Sequence, residues 1–293
     1  MIYNVSHRTT YGYAQQVSIS HHRLHLLSRP TQRQNCLWSS ILVEPTPTGR
    51  SETRDYFGNR VLHLTIQTPH DRLTVTAESR VEVVAGQPVA LELSAPWDQL
   101  ARELETARDA AALEAFQFAF DSPYAASDEA VHDYARASFA PGQPVLTSAM
   151  SLTGRIFGEF KYEGGVTDVS TPIREVLENR RGVCQDFAHL QIACLRSHGV
   201  PARYVSGYLL THPPAGQEKL VGSDASHAWV AVWCPEYGWV DFDPTNDVVP
   251  DDEHITLGWG RDYGDVSPIN GFMVGGGDHT VEVAVDVTPA EAA

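Results

Sequence analysis

The spacing of apolar residues changes once along this chain, and that change limits the folds open to it. From Met1 to about Val84 they fall in short extended runs, Cys36 to Val43, Val61 to Ile66 and Leu73 to Val83, divided by turn-forming residues. Gly58-Asn59 sits between two of these runs, where a tight hairpin favours residues that tolerate positive φ. Beyond Gly86 and Pro88 the period becomes helical, in Ala-, Glu- and Leu-rich stretches around Gln99 to Phe120 and Ser127 to Ser138. Strands followed by helices predict an α+β protein, and 293 residues suit two domains at roughly 150 residues each. The expected division is a β-rich domain over 1–90 and a mixed core over 91–293 that ends in a strand, Thr280 to Val287. Thr288 to Ala293 read as a frayed tail.

Charge removes some functions from consideration. The balance of 21 Lys and Arg against 37 Asp and Glu leaves −16, which repels phosphate backbones and anionic headgroups, so neither nucleic acid nor a membrane surface is an expected partner. The opening MIYNVSHRTTYGYAQQVSIS alternates polar and apolar residues and lacks the apolar stretch of an export signal. Four widely spaced cysteines, Cys36, Cys184, Cys194 and Cys234, form no disulfide framework and suit a reducing compartment, so a cytoplasmic location is expected.

One of those cysteines is placed for chemistry. A helix beginning at Thr171-Pro172 ends near Arg180-Arg181-Gly182, and a second follows at once, with Val183, Phe187, Leu190 and Cys194 on one stripe. Cys184 falls in its first turn, where free N–H groups and the helix dipole favour a thiolate and can receive an oxyanion. A thiol nucleophile needs a base, and the base an orienting group. Downstream, Ser226 to Trp233 and Trp239 to Asp243 read as strands of a hairpin turned by residues 234–238. That register sets Trp233 against Trp239 and Trp229 against Asp243, leaving Asp243 diagonal to His227 on the same sheet face, within reach of a hydrogen bond.

Three segments, Gly182-Val183-Cys184-Gln185-Asp186-Phe187-Ala188-His189, Ser226-His227-Ala228-Trp229-Val230 and Asp241-Phe242-Asp243-Pro244-Thr245-Asn246, resemble the bacterial transglutaminase-like superfamily in kind and order. The resemblance takes in the β-rich N-terminal region and Gly260-Arg261-Asp262-Tyr263. It implies a papain-like core in which Cys184 is the nucleophile, His227 its base and Asp243 the orienting carboxylate. It also implies acyl transfer at a carboxamide or peptide bond of a protein or peptide substrate, as a cysteine protease, amidase or transamidase. No cofactor and no metal is expected, and scattered carboxylates argue against calcium. The alternative is a noncatalytic protein- or peptide-binding module on the same scaffold.

Other residues carry weaker signals. Cys184, His189, Cys194 and His198 spread around a helix and cannot converge on zinc. His21, His22 and His25 read as a solvated cluster without a role. Trp229, Trp233 and Trp239 suit either the core or a groove wall, and Arg261, Asp262 and Tyr263 either a cleft rim or a structural ion pair. Gly275-Gly276-Gly277 reads as a turn before the last strand, without the strand-to-helix setting of a phosphate loop. Gln185 is a weak candidate for a second oxyanion donor.

Overall fold

The computed structural model describes residues 1–211 and 226–290; the polar loop expected after Leu210 lies largely outside them. Strands β1 (Ile2–Leu24), β2 (Gln34–Glu44), β3 (Gly49–Arg54), β4 (Arg60–Ile66) and β5 (His70–Val83) come first. Then follow α1 (Trp97–Thr106), α2 (Ala110–Phe116), α3 (Glu129–Arg136), α4 (Val145–Glu159), β6 (Lys161–Tyr162), α5 (Ile173–Asn179), β7 (Arg181–Gly182) and α6 (Cys184–Arg196). The chain continues through β8 (Ala202–Leu209), β9 (Ser226–Cys234), β10 (Gly238–Phe242), β11 (His254–Gly260), α7 (Tyr263–Val266), β12 (Ile269–Gly275) and β13 (His279–Ala290). The α+β class expected from the change of period holds.

β1 is one continuous strand of 23 residues, where sequence reading expects short runs. Its first half lies between β5 and β13, its last part between β4 and β12, and the register slips between Gly12 and Val17, so one strand serves two sheet segments. Leu24, Ile41, Leu62, Leu64, Ile66, Leu73 and Val75 fill the space between them. The last two strands of the chain therefore join the N-terminal sheet, and Thr288 to Ala290, expected to fray, pair with Asn4, Tyr3 and Ile2. Gly275, Gly276 and Gly277, all at positive φ, make the reversal between β12 and β13.

The second sheet runs β10-β9-β8-β11, antiparallel throughout, with α6 across one face and α3, α4 and α5 packed around the helix. Every residue of α6 from Asp186 to Arg196 is buried, not one stripe alone. Its polar members are each engaged: Gln191 donates to Thr153 at 2.8 Å, and Arg196 donates to Phe118 O, Ser122 Oγ, Ala202 O and Arg261 O. The two sheets meet through Tyr3, Val5, Val81 and Val83 on one side and Tyr208, Ile255 and Leu257 on the other.

β11 is an edge strand, and its outward backbone groups are taken by two side-chain amides from the N-terminal region, one on β2 and one in the turn before β4. Gln34 accepts from Thr256 N at 2.8 Å and donates to Thr256 O at 2.7 Å. Asn59 accepts from Trp259 N at 3.0 Å and donates to Trp259 O at 2.8 Å. A Cβ on Gly258 would stand 2.7 Å from the Asn59 oxygen, so glycine lets the amide approach.

Candidate active site

Cys184 opens α6, and the turn before it is closely specified. Arg180, in the left-handed region at φ 53°, ends α5; Arg181-Gly182 then pair in parallel with Lys161-Tyr162. The Asp186 carboxylate turns back to accept from Val183 N at 2.8 Å and from Thr167 Oγ1 at 2.7 Å. A Cβ on Gly182 would lie 2.7 Å from that carboxylate, so only glycine fits there. Burial raises the Asp186 pKa, and the two hydrogen bonds oppose the rise. Cys184 is half-buried at the helix start, whereas Cys194 and Cys234 are buried. Burial pushes the Cys194 thiol well up and the Cys234 thiol up to about 11.

The β9–β10 register is the expected one, with Trp239 opposite Trp233 and Asp241 opposite Ala231. It brings the diagonal pair into contact: His227 Nε2 lies 2.7 Å from Asp243 Oδ2. Cys184 lies near enough to His227 to help raise its pKa, and with Nε2 on the carboxylate, Nδ1 is the ring nitrogen left for the thiol. His227 is 8% exposed and Asp243 fully buried. Burial alone would lower the His227 pKa, but the hydrogen bonds to Asp243 and Cys184 and their negative charge outweigh it and raise it to about 10. For Asp243, burial pulls upward, and hydrogen bonds from His227, His254 and Asn246 hold the carboxyl well below its ordinary range.

Asp243 is held from all sides. Its Oδ1 accepts from Thr245 N at 2.9 Å, and its Oδ2 accepts from Asn246 Nδ2 at 2.7 Å and from His254 Nε2 at 3.0 Å, besides His227. The trio His227, Asp243 and His254 has its donor atoms within 4.8 Å of one another, close enough for a metal. Here both Nε2 atoms point at the same carboxylate oxygen, so the three groups satisfy one another. Trp229, fully buried, lies beneath both rings, 6.0 Å from that of His227 and edge-on to His254 at 5.2 Å. A Cβ on Gly207 would come 2.5 Å from the Trp229 ring, which fixes glycine in β8.

The remaining expectations sort by burial. Trp229 and Trp233 pack in the interior, and half-buried Trp239 lies under the Arg203 guanidinium at 4.2 Å. His189, Cys194 and His198 go separate ways, His189 accepting from Tyr263 N at 3.1 Å and His198 stacking on Phe139 at 4.2 Å. The expectation of a solvated histidine cluster is corrected: His25, just past the end of β1, is buried against the segment before β12, its backbone N–H on Pro268 O and its Nδ1 3.1 Å from Ser267 O. Buried Asp262 caps α7 and accepts from Tyr124 N at 3.0 Å, while exposed Arg261 pairs with Asp265. His254 and the role of Asn246 escape sequence reading. Asn246 stands in a quoted segment but looks like any turn residue, and His254 is a lone histidine at a strand start.

Residues 3–82 match the bacterial transglutaminase-like N-terminal region, and residues 132–244, which hold Cys184, His227 and Asp243, match the transglutaminase-like superfamily. An uncharacterized protein of Mycobacterium tuberculosis is 41% identical over 99% of this chain and 93% of its own length, and one of Mycobacterium leprae 34% identical over 97% of each. A protein-glutamine gamma-glutamyltransferase of Pseudomonas aeruginosa is 42% identical over 77 residues, 26% of this chain and 12% of that protein. The crystal structure of a Cytophaga hutchinsonii protein, provisionally described as a cysteine protease, superposes with a TM-score of 0.78 at 23% identity, covering 100% of this chain and 92% of the other. With two matched regions, relatives along its whole length and a shared fold, the chain belongs to the transglutaminase-like superfamily.

Proposed function

We propose that the protein catalyses thiol-dependent acyl transfer at a carboxamide or peptide carbonyl, with Cys184 as nucleophile, His227 as general base and acid, and Asp243 as orienting carboxylate. The observation that carries this reading is the buried imidazole of His227, held by a carboxylate at 2.7 Å and raised in pKa by that carboxylate together with the half-buried thiol of Cys184 at a helix start. In the reaction, Cys184 Sγ gives its proton to His227 Nδ1 and attacks the carbonyl carbon. Backbone N–H groups at the start of α6 receive the oxyanion. The C–N bond then breaks as His227 returns the proton to the leaving nitrogen, which leaves a thioester. Water or a primary amine attacks the thioester, yields its proton to His227, and releases the thiolate. Water makes the enzyme an amidase or protease; an amine makes it a transamidase. The segment shared with the Pseudomonas glutamyltransferase favours glutamine side chains as acyl donors. Four free cysteines and a thiol mechanism suit a reducing, cytoplasmic setting.

The test is intact-mass spectrometry of glutamine-containing peptides incubated with wild type or Cys184→Ala, with and without a labelled primary amine. Amine incorporation by wild type alone identifies a transamidase, and amine-independent deamidation or cleavage a hydrolase. Unchanged peptides, together with a Cys184 that iodoacetamide labels no faster than Cys36, overturn the proposal.

A further inference from the structure

We propose that His254 is a positioning residue of this site: through its Nε2–H it fixes the Asp243 carboxylate in the orientation that keeps His227 engaged throughout the reaction. The inference rests on the reading of Cys184, His227 and Asp243 given above. His254 is the first residue of β11, and its Nε2 lies 3.0 Å from the same Asp243 Oδ2 that His227 contacts at 2.7 Å. A carboxylate accepts and cannot donate, so this contact requires the Nε2–H tautomer. The other ring nitrogen, Nδ1, is buried without a hydrogen-bond partner among the described residues, so the polar function of the ring seen there is spent on Asp243. The ring is clamped edge-on against buried Trp229. Of the three side-chain donors on Asp243 Oδ2, His227 must change its proton inventory during turnover, and Asn246 is exposed on a turn. His254 is the one that is buried, carried by a strand and outside the proton transfers. When His227 gives its proton to the leaving nitrogen, the carboxylate loses its cationic partner, and His254 keeps it from turning away.

The test compares His254→Gln, whose Nε2 can occupy the place of the imidazole Nε2, with His254→Phe, which keeps a ring against Trp229 but has no donor. The readout is the rate of Cys184 alkylation by iodoacetamide from pH 5 to 9, with thermal melts as the check on folding. In wild type, Cys184 is expected to react faster than Cys36 at pH 6. His254→Phe is expected to slow Cys184 at pH 6 by roughly tenfold or more, the loss typical of removing a partner that orients a reactive group, and to displace the profile to higher pH. His254→Gln should recover most of that loss. A folded His254→Phe with the wild-type profile overturns the proposal, as do two folded variants slowed equally, which would make ring shape rather than the donor responsible. If His254→Phe does not fold, 15N spectra of the wild-type imidazoles decide: an Nε2–H tautomer for His254 at pH 8 supports the proposal, and Nδ1–H overturns it. A wild-type Cys184 no more reactive than Cys36, with His254 in the Nε2–H form, instead tells against the acyl-transfer reading on which the role depends.

Discussion

Asp243 has no slack: each of its oxygens is taken, one by Thr245 N and the other by three side chains. Asp243→Asn keeps the shape but puts an NH2 where His227 and His254 both donate, so His227 loses the tautomer that leaves Nδ1 free for the thiol. Turnover should fall by about 10⁴, the loss seen when the orienting Asp of a serine protease triad becomes Asn; a labelled-amine or deamidation assay measures it. Asn59 is as fully used, donating to Trp259 O and Asp55 and accepting from Trp259 N and Arg29. Asn59→Asp turns the donor into an acceptor against a carboxylate and a carbonyl. The expected cost is about 3 kcal/mol in urea unfolding, for two buried acceptors left without a donor. Sequence reading handles these residues unequally. Cys184, His227 and Asp243 were legible because a helix start and a hairpin register place them by local rules. Asn59 reads only as a turn residue and His254 as nothing in particular, since the partners of both are remote in sequence.

Among the elements, α6 shows how far a periodic pattern can mislead about polar residues. Its apolar stripe is legible, but its burial on all sides depends on α3, α4, α5 and the sheet closing around it, which the pattern of one helix does not record. Arg196 is the clearest case: buried near the end of the helix, it binds carbonyls of Phe118, Ala202 and Arg261 and the hydroxyl of Ser122, tying three separate stretches of chain to the helix. Burial lowers its pKa to about 10, with Asp262 and Asp121 opposing, so it remains a cation at neutral pH. Arg196→Lys keeps the charge but cannot present a planar fork to four acceptors. It should destabilise the fold by about 3 kcal/mol, measured by urea or thermal unfolding, because the abandoned carbonyls are buried.

At the scale of the whole molecule, buried histidines set the acid limit of stability. Burial holds His7, His189 and His198 at about 4, against 6.5 when exposed. Between those values the unfolded chain binds more protons than the folded one, so stability present above about 6.5 is lost as pH falls toward 4. His227 runs the other way: raised to about 10, its pairing stabilises below 6.5 and is lost as pH rises through 10. Thermal melts from pH 4 to 8 should show a maximum near pH 6.5, a steep decline on the acid side and a shallower one above it. His7 links the two sheets directly, its Nδ1 lying 2.9 Å from Tyr208 Oη, so acid should loosen that junction. The α+β class was legible from the change of period; the return of β12 and β13 to the first sheet was not, because strand pairing between chain ends leaves no trace in either strand alone.

The amide clamps on β11 have a consequence for how such proteins can be built and recombined. Gln34 and Asn59 cover Thr256 and Trp259 where another core would lay down a strand, so the groups that keep this sheet from recruiting a foreign chain belong to the other half of the molecule. A core cut away from residues 1–90 would be left with a raw edge and should self-associate, as size-exclusion chromatography of the fragment beside the full chain would show. The edge of the core is closed by residues the core does not contain.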